Sequence, residues 1–308
     1  MDEKLDRKKI LMPSFIIANV LFILLLVCIA IPGKAKTNSP VAFYVTCVLI
    51  EAFYLWCFFA HGRKDSTSYI AIIVWILLIG WEITATDLKI MHPVLIPNPE
   101  NVFNVFPTHA TELLKNIQSS LILLFSGYFS ALILGNILGV FAGWMPRLRD
   151  TVYPIARALA PVPAIVFAPY LIMLMPSFRS AAIMAIFLGI FWPTLLNMIL
   201  RVGSMDRRIV ESARMLGLST PEIIFKVFLP YVYPGIATGM KVQMATGMLM
   251  LVMAEMYGAT SGMGYFVLNY TNYGNYTNVV AGIICVGLVV TVLDALISLL
   301  IKKPVKWH

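Results

Sequence analysis

The chain has 308 residues, of which 60% are hydrophobic and only 12% are charged. Soluble domains carry about 25% charged residues, so this composition excludes an ordinary soluble protein. The net charge of +8 does not indicate nucleic-acid binding, because the cations flank apolar runs and form no basic stripe. Uncharged gaps separate Lys9 from Lys34, Lys115 from Arg147, Arg157 from Arg179, Arg179 from Arg201, and Glu255 from Asp294. Each gap is near or above the roughly 20 residues that cross a bilayer as a helix, which predicts an all-α polytopic membrane protein.

About eight transmembrane helices are predicted, at residues 11–31, 41–60, 68–87, 117–144, 152–174, 181–201, 231–257 and 278–300. The first is interpreted as a retained signal-anchor helix, because no small-residue cleavage site closes it. Glu51 and Glu82 interrupt the second and third spans. An intramembrane carboxylate normally faces the interior of a helix bundle or a polar cavity. A structural pair or an interfacial position is favoured for both residues over a role in transport.

The distribution of cations predicts the orientation. With the N-terminus inside, the cytoplasmic segments hold 16 Lys and Arg residues and the outer segments hold 5. Cytoplasmic loops of membrane proteins carry an excess of Lys and Arg, so both termini are predicted to be cytoplasmic.

The segment at about 202–230 is the only sizeable polar segment predicted on the cytoplasmic side. Its pattern predicts a short helix that stops at Gly217, because glycine tolerates the positive φ of a helix C-terminus. A second helix is predicted to open at Ser219 or Thr220, with Glu222 in its first turn. Such a helix–turn–helix is too small to catalyse a reaction alone, and it is well shaped to dock into a groove on another protein.

This segment resembles the EAA loop of ABC importer permeases, whose pattern is Glu-Ala-Ala, three residues, Gly, nine residues, Ile, one residue, Leu-Pro. With Glu211 in the first position the remaining positions are in register, except that Ser212 replaces an Ala and Val227 replaces the Ile. The resemblance assigns contact with an ATPase to Glu211, Ser212, Ala213, Gly217, Leu218, Leu229 and Pro230.

The resemblance extends from about Trp75 to the C-terminus and is closest to the nitrate/sulfonate/taurine branch. Residues 234–241, 254–256 and 261–265 carry it downstream of the EAA loop. It implies a permease core at residues 65–308, while residues 1–64 form a two-helix extension of unknown role.

The resemblance also implies the partners. Two permease copies would form a path across the bacterial cytoplasmic membrane, with two ATPase subunits that bind ATP and Mg²⁺. A substrate-binding protein outside would deliver nitrate, a sulfonate, taurine or a vitamin precursor. No cofactor is expected in this chain.

Four residues are candidates for the translocation path. Pro161 and Pro163 interrupt the fifth span, and backbone carbonyls freed by a kink are tolerated where they line a cavity. Lys241 lies inside the seventh span, where a cation snorkelling to the cytoplasmic interface is the favoured interpretation and an electrostatic or structural element beside the path is the alternative. Glu255 lies near the outer mouth, and a structural hydrogen-bonding role is favoured there.

Glycines recur every fourth residue in the fourth span, at Gly135, Gly139 and Gly143. Small residues at this spacing let helices approach closely in lipid, and packing inside the subunit is favoured over a contact between subunits.

Motifs for catalysis do not occur in the sequence. It contains neither GxxxxGK[ST] nor HExxH, and its four histidines are scattered, so no catalytic or metal site is predicted. The chain is therefore predicted to be a transport subunit and not an enzyme. An ATP-independent secondary transporter or channel is the alternative, with Glu51, Glu82, Lys241 and Asp294 as its only candidate coupling residues.

Overall fold

A computed structural model describes residues 12–31, 33–35, 37–60, 65–89 and 95–302. Within these residues the chain is helical and contains no β-strand. The α-helices are α1 (Pro13–Ala30), α2 (Val41–Ala60), α3 (Asp65–Glu82), α4 (Pro99–Thr108), α5 (Ala110–Trp144), α6 (Pro146–Leu159), α7 (Ala168–Leu174), α8 (Phe178–Gly203), α9 (Arg207–Met215), α10 (Thr220–Glu222), α11 (Leu229–Met256), α12 (Met263–Asn272) and α13 (Tyr276–Lys302). Two π-helical segments, Ile83–Asp87 and Ile223–Phe228, follow α3 and α10, and a 3₁₀ turn, Ala164–Phe167, precedes α7.

The predicted fold class is confirmed. In the described part of the chain, seven helices are long and apolar enough to cross a membrane, or up to eight if one bent pair counts as a span. The longest apolar stretch, Thr220–Met256, is 37 residues and therefore about 55 Å long at about 1.5 Å per residue. This length exceeds the roughly 30 Å hydrocarbon core, so part of the stretch projects beyond it.

Two details differ from the sequence-based prediction. The predicted single span at 152–174 is instead two helices, α6 and α7, bent by 83°. Pro161 and Pro163 lie in the break, where proline removes backbone donors and restricts the preceding residue. The connection between the predicted spans 231–257 and 278–300 also contains a helix, α12, which was not predicted.

The chain divides into two compact units, which are described separately. The first comprises Met1–Leu113 and Asn269–Ile283. In it the Phe22 ring on α1 lies 5.2 Å from Trp75 on α3, and the Phe43 ring on α2 stacks on Phe103 of α4 at 5.1 Å. The predicted domain boundary at residue 64 remains a prediction.

The second unit comprises Leu114–Leu268 and Ile284–His308. Its core contains buried side chains of α5, α8 and α11, including Leu124, Ile190 and Leu251. The glycines of α5 face α8, since a Cβ at Gly139 would lie 2.5 Å from Cβ of Met198. Gly135 and Gly143 meet Thr194 and Val202 of α8 in the same way. The glycine face of α5 therefore packs inside the subunit, as predicted.

Candidate functional site

The elbow, defined here as residues 206–230, begins with α9. The Asp206 side chain caps this helix by accepting a hydrogen bond of 2.9 Å from the backbone N–H of Arg208. At the other end Gly217 has φ of +78°, a left-handed conformation that glycine adopts without a steric cost. The Leu218 N–H donates to the Ala213 carbonyl at 3.2 Å and the Gly217 N–H to the Arg214 carbonyl at 2.9 Å, the two bonds of a Schellman turn. The predicted helix stop at Gly217 is confirmed.

The second arm of the elbow opens with a capping box. The Ser219 N–H donates to Oε2 of Glu222 at 3.0 Å, and the Ser219 side chain caps the third residue of the new helix. Nζ of Lys226 donates to the other carboxylate oxygen of Glu222 at 2.8 Å. The backbone groups at both helix ends therefore find hydrogen-bond partners within the elbow. The turn is a defined structure that needs no partner protein to form.

The base of the elbow is fixed to the ends of α5 and α8 by an apolar cluster. Phe228, Val232 and Met205 are buried in it with Val140 and Met198. The Phe228 ring lies 6.1 Å from the Trp144 ring at the end of α5, in an edge-on arrangement. A force applied to the elbow is therefore transmitted directly to membrane-spanning helices, because close-packed side chains leave little slack.

The tip of the elbow is apolar and exposed. Met215 is 88% exposed and Leu216 is 81% exposed, although both are large hydrophobic residues at a turn between polar segments. Single exposed apolar residues are common, but two adjacent ones on a rigid turn provide the anchor that a protein groove can bind.

The structure places the other predicted coupling residues on the same elbow. Ala213 is the buried residue of α9, and Leu218 and Leu229 are half-buried. Exposed positions are occupied by Glu211, Ser212 and Pro230. The small side chain at position 213 therefore faces inward, while the acidic and hydroxyl side chains remain accessible.

A groove of about 340 Å³ runs along the base of α9. Its charged lining consists of Arg149, Arg207, Arg214 and Glu211. The excess of positive charge makes this face of the elbow complementary to an acidic surface.

Among the predicted path residues, Glu255 is fully buried. Its Oε1 accepts a hydrogen bond of 2.6 Å from the Ser120 hydroxyl on α5, and its Oε2 accepts one of 2.7 Å from the Gly264 N–H at the start of α12. Ser120 in turn accepts a hydrogen bond of 2.8 Å from the Met263 N–H. These bonds agree with the structural role favoured for Glu255, and its place in a translocation path remains a prediction.

The remaining path candidates are more accessible. Pro161 and Pro163 are exposed in the break between α6 and α7, and Lys241 is half-buried on α11. A polar cavity between α5, α8 and α11 is lined by none of these three residues and not by Glu255.

A comparison with known proteins identifies the family to which this chain belongs. The family described as "Binding-protein-dependent transport system inner membrane component" matches residues 135–306, more than half of the chain. This chain belongs to that family.

Curated relatives of this permease cover most of its length. It is 27% identical over 252 residues to the taurine transport system permease protein TauC of Escherichia coli strain K12, covering 80% of this chain and 91% of TauC. It is 32% identical over 193 residues to the nitrate import permease protein NrtB of Leptolyngbya laminosa, covering 63% of this chain and 69% of NrtB. A chain of the inward-facing MetNI methionine ABC transporter shares its fold, with a TM-score of 0.56, 18% identity, and coverage of 64% of this chain and 97% of that one.

The permease is therefore an inner-membrane transport subunit of an ABC importer, and ATP hydrolysis belongs to a separate chain. Family membership implies an ATPase and a substrate-binding protein as partners.

The sequence alone did not identify a contact of Arg201 in this permease. Arg201 was counted there only as a cytoplasmic cation, but Nη2 of its guanidinium donates to the Gly235 carbonyl at 2.9 Å. The guanidinium occupies the space that a Cβ at position 235 would need. Gly235 belongs to the stretch that carried the family resemblance, but nothing in that motif pointed to Arg201 as its neighbour.

Proposed function

We propose that the elbow is the surface through which an ATPase drives this permease. Its exposed tip, Met215 and Leu216 on a turn with satisfied hydrogen bonds, supports this proposal best. The apolar tip docks into a groove of the ATPase, and Glu211 and Ser212 contact the rim of that groove. ATP and Mg²⁺ bind to the ATPase and not to this chain.

The transport cycle follows from the attachment of the elbow. When the ATPase subunits close around ATP, the elbow moves with them and shifts α8 and α11, which it joins. A rigid-body change of this kind exchanges inward-facing and outward-facing states. Two copies of the permease form the path, and both termini are cytoplasmic. The path is lined by Pro161, Pro163 and Lys241, and Glu255 stabilises the structure at its outer end.

The proposed cargo is a small solute with an oxyanion group. TauC is a taurine permease and NrtB a nitrate permease by name, and the sulfonate of taurine and the nitrate ion present similar oxygen atoms. A substrate-binding protein delivers this solute from outside.

The first experiment changes the turn and tip of the elbow and measures association with the ATPase. Gly217→Val puts a β-branched residue at positive φ, which costs roughly 1–2 kcal/mol and distorts the turn. Leu216→Glu places a charge in the docking groove. We expect both variants to insert into the membrane and to lose co-purification of the co-expressed ATPase by at least about tenfold.

Matched controls distinguish docking from folding. Gly217→Asn retains the left-handed turn, because asparagine tolerates that conformation, and we expect normal association. Leu95→Glu introduces the same charge at a 66% exposed leucine away from the elbow. If Gly217→Val and Leu216→Glu bind the ATPase normally, or if the purified permease transports solute without an ATPase, the proposal is wrong and the ATP-independent alternative is favoured.

A further inference from the structure

A polar cavity lies inside the second unit, between α5, α8 and α11. Its volume is about 30 Å³, enough for about two water-sized groups at roughly 10–15 Å³ each. Its polar lining comes from all three helices and consists of Asn136, Thr194, Asn197, Arg201 and Gln243. Polar side chains inside membrane-spanning bundles are expensive and are commonly functional.

Arg201 supplies an unneutralised charge to this cavity. Within the described residues no carboxylate lies within 4.0 Å of its guanidinium, which donates a hydrogen bond to the uncharged Gly235 carbonyl. A guanidinium has several N–H donors in a planar fork that matches the oxygens of an oxyanion. A half-buried cation without a counter-ion therefore favours an anion beside it.

Thr194 is a second and independent sign of a ligand. It is only 7% exposed, and its hydroxyl oxygen has no hydrogen-bond partner in the described structure. Threonine within a helix commonly donates its hydroxyl to the carbonyl one turn earlier, which Thr194 does not do. The methyl side of Thr194 packs toward Gly135, where a Cβ would lie 3.0 Å from its Cβ and Cγ2. Thr194 lines the cavity, and its buried hydroxyl has no protein partner in the described structure.

Gln243 completes the lining from α11. It is 7% exposed, and its side-chain amide offers N–H donors at the cavity wall. Asn197, one turn before Arg201 on α8, offers a second amide. The lining thus combines a cation, a hydroxyl and amides, and it includes no carboxylate that would repel an anion.

We propose that this cavity is an oxyanion subsite in the cytoplasmic half of the transport path. Arg201 binds two oxygens of a sulfonate, nitrate or similar group, and Thr194 and Gln243 donate to the same group. The volume of about 30 Å³ admits two oxygens of the oxyanion group and leaves the rest of the solute outside. The subsite rests on the proposed function for its cargo and its place in the path, but anion binding to it needs no ATPase.

The experiment measures anion binding to the full-length permease alone, in phosphatidylcholine nanodiscs. The probes are sodium nitrate and sodium ethanesulfonate, titrated against sodium chloride at constant ionic strength, because chloride supplies the same charge without the two oxygens that a guanidinium fork binds. A ligand that binds only the folded state raises the melting temperature with its concentration. We expect a saturable rise for both probes, and at least about tenfold weaker apparent binding for Arg201→Gln.

The Thr194→Val variant separates a ligand role from a structural one. The substitution retains shape and removes a buried hydroxyl that has no partner, so the anion-free variant should melt at the same or a higher temperature. We expect its apparent affinity for ethanesulfonate to fall several-fold nonetheless. Arg149→Gln is the control, since Arg149 is a cation of the same unit that does not line this cavity.

Three outcomes would overturn the subsite: no saturable rise in the wild type, equal affinity in Arg201→Gln and wild type, or equal loss in Arg149→Gln. Loss of anion binding with normal ATPase association overturns only the subsite. Normal anion binding with no ATPase association supports the subsite and overturns the coupling proposal.

Discussion

Glu255 connects the C-terminal end of α11 to two other helices by accepting hydrogen bonds from Ser120 and Gly264. Its side chain is 0% exposed, so a loss of these bonds is not repaired by water. A buried donor that loses its acceptor costs about 1–3 kcal/mol, which is more than the net contribution of about 0.5–1.5 kcal/mol from a typical hydrogen bond.

We expect Glu255→Ala to lower the free energy of unfolding by about 3 kcal/mol, because it leaves the Ser120 hydroxyl and the Gly264 N–H buried without an acceptor. Glu255→Gln should lower the free energy of unfolding by about half as much, since one acceptor oxygen remains. Unfolding of the purified protein in detergent by heat or denaturant provides the measurement. Glu112→Ala is the control, because that carboxylate is 41% exposed and should change stability by less than about 1 kcal/mol. Equal costs at positions 255 and 112 would contradict the structural role.

The glycine face of α5 determines how closely α5 and α8 approach. Leucine at Gly139 would place its Cβ 2.5 Å from Cβ of Met198, in a contact between two helices. We expect Gly139→Leu to separate the helices and to prevent stable expression, and Gly139→Ala to cost about 1–3 kcal/mol through overpacking. Thermal unfolding and membrane yield measure these effects.

Gly287 on α13 is the matched control, because a Cβ there meets nothing within 4 Å. Alanine raises helix propensity relative to glycine, so Gly287→Ala should be neutral or slightly stabilising. A Gly139→Ala variant as stable as the wild type would show that α5 and α8 do not pack as closely as described.

The elements could be predicted from the sequence where one physical effect dominates. Membrane-spanning length depends on apolar runs, and the turn at Gly217 depends on local hydrogen bonds, so both predictions are confirmed. The 83° bend between α6 and α7 was not predictable, because proline permits a break and tertiary packing determines its angle.

The contacts at the candidate sites could not be predicted either, because they join residues that are far apart in the sequence. Arg201 and Gly235 are 34 positions apart, and Ser120 and Glu255 are 135 positions apart, so no local pattern links either pair. The helix α12 was missed because its Gly, Asn and Tyr residues are typical of loops, while the Gly264 N–H at its start is satisfied by the distant Glu255.

At the scale of the whole molecule, the helices that meet at the elbow also line the cavity. Arg201 lies near the end of α8, directly before the elbow, and Gly235 and Gln243 lie on α11, directly after it. If the elbow moves as proposed, the spacing between Arg201 and Gly235 on α11 changes with it. The two proposed sites would then be coupled without a long chain of contacts, because they share these helices.

The orientation of the permease connects these sites to their partners, and cysteine labelling tests it. Met215→Cys places a thiol at the exposed tip of the elbow, and Tyr273→Cys places one at a 77% exposed position after α12. With both termini cytoplasmic, a membrane-impermeant maleimide should label Met215→Cys only in inside-out vesicles and Tyr273→Cys only in right-side-out vesicles. The unsubstituted protein sets the background from Cys28, Cys47, Cys57 and Cys285. Co-expressed ATPase should slow labelling at position 215 and leave position 273 unchanged, because docking covers only the tip. Labelling of Met215→Cys from the outer side would reverse the orientation and remove the elbow from any cytoplasmic ATPase.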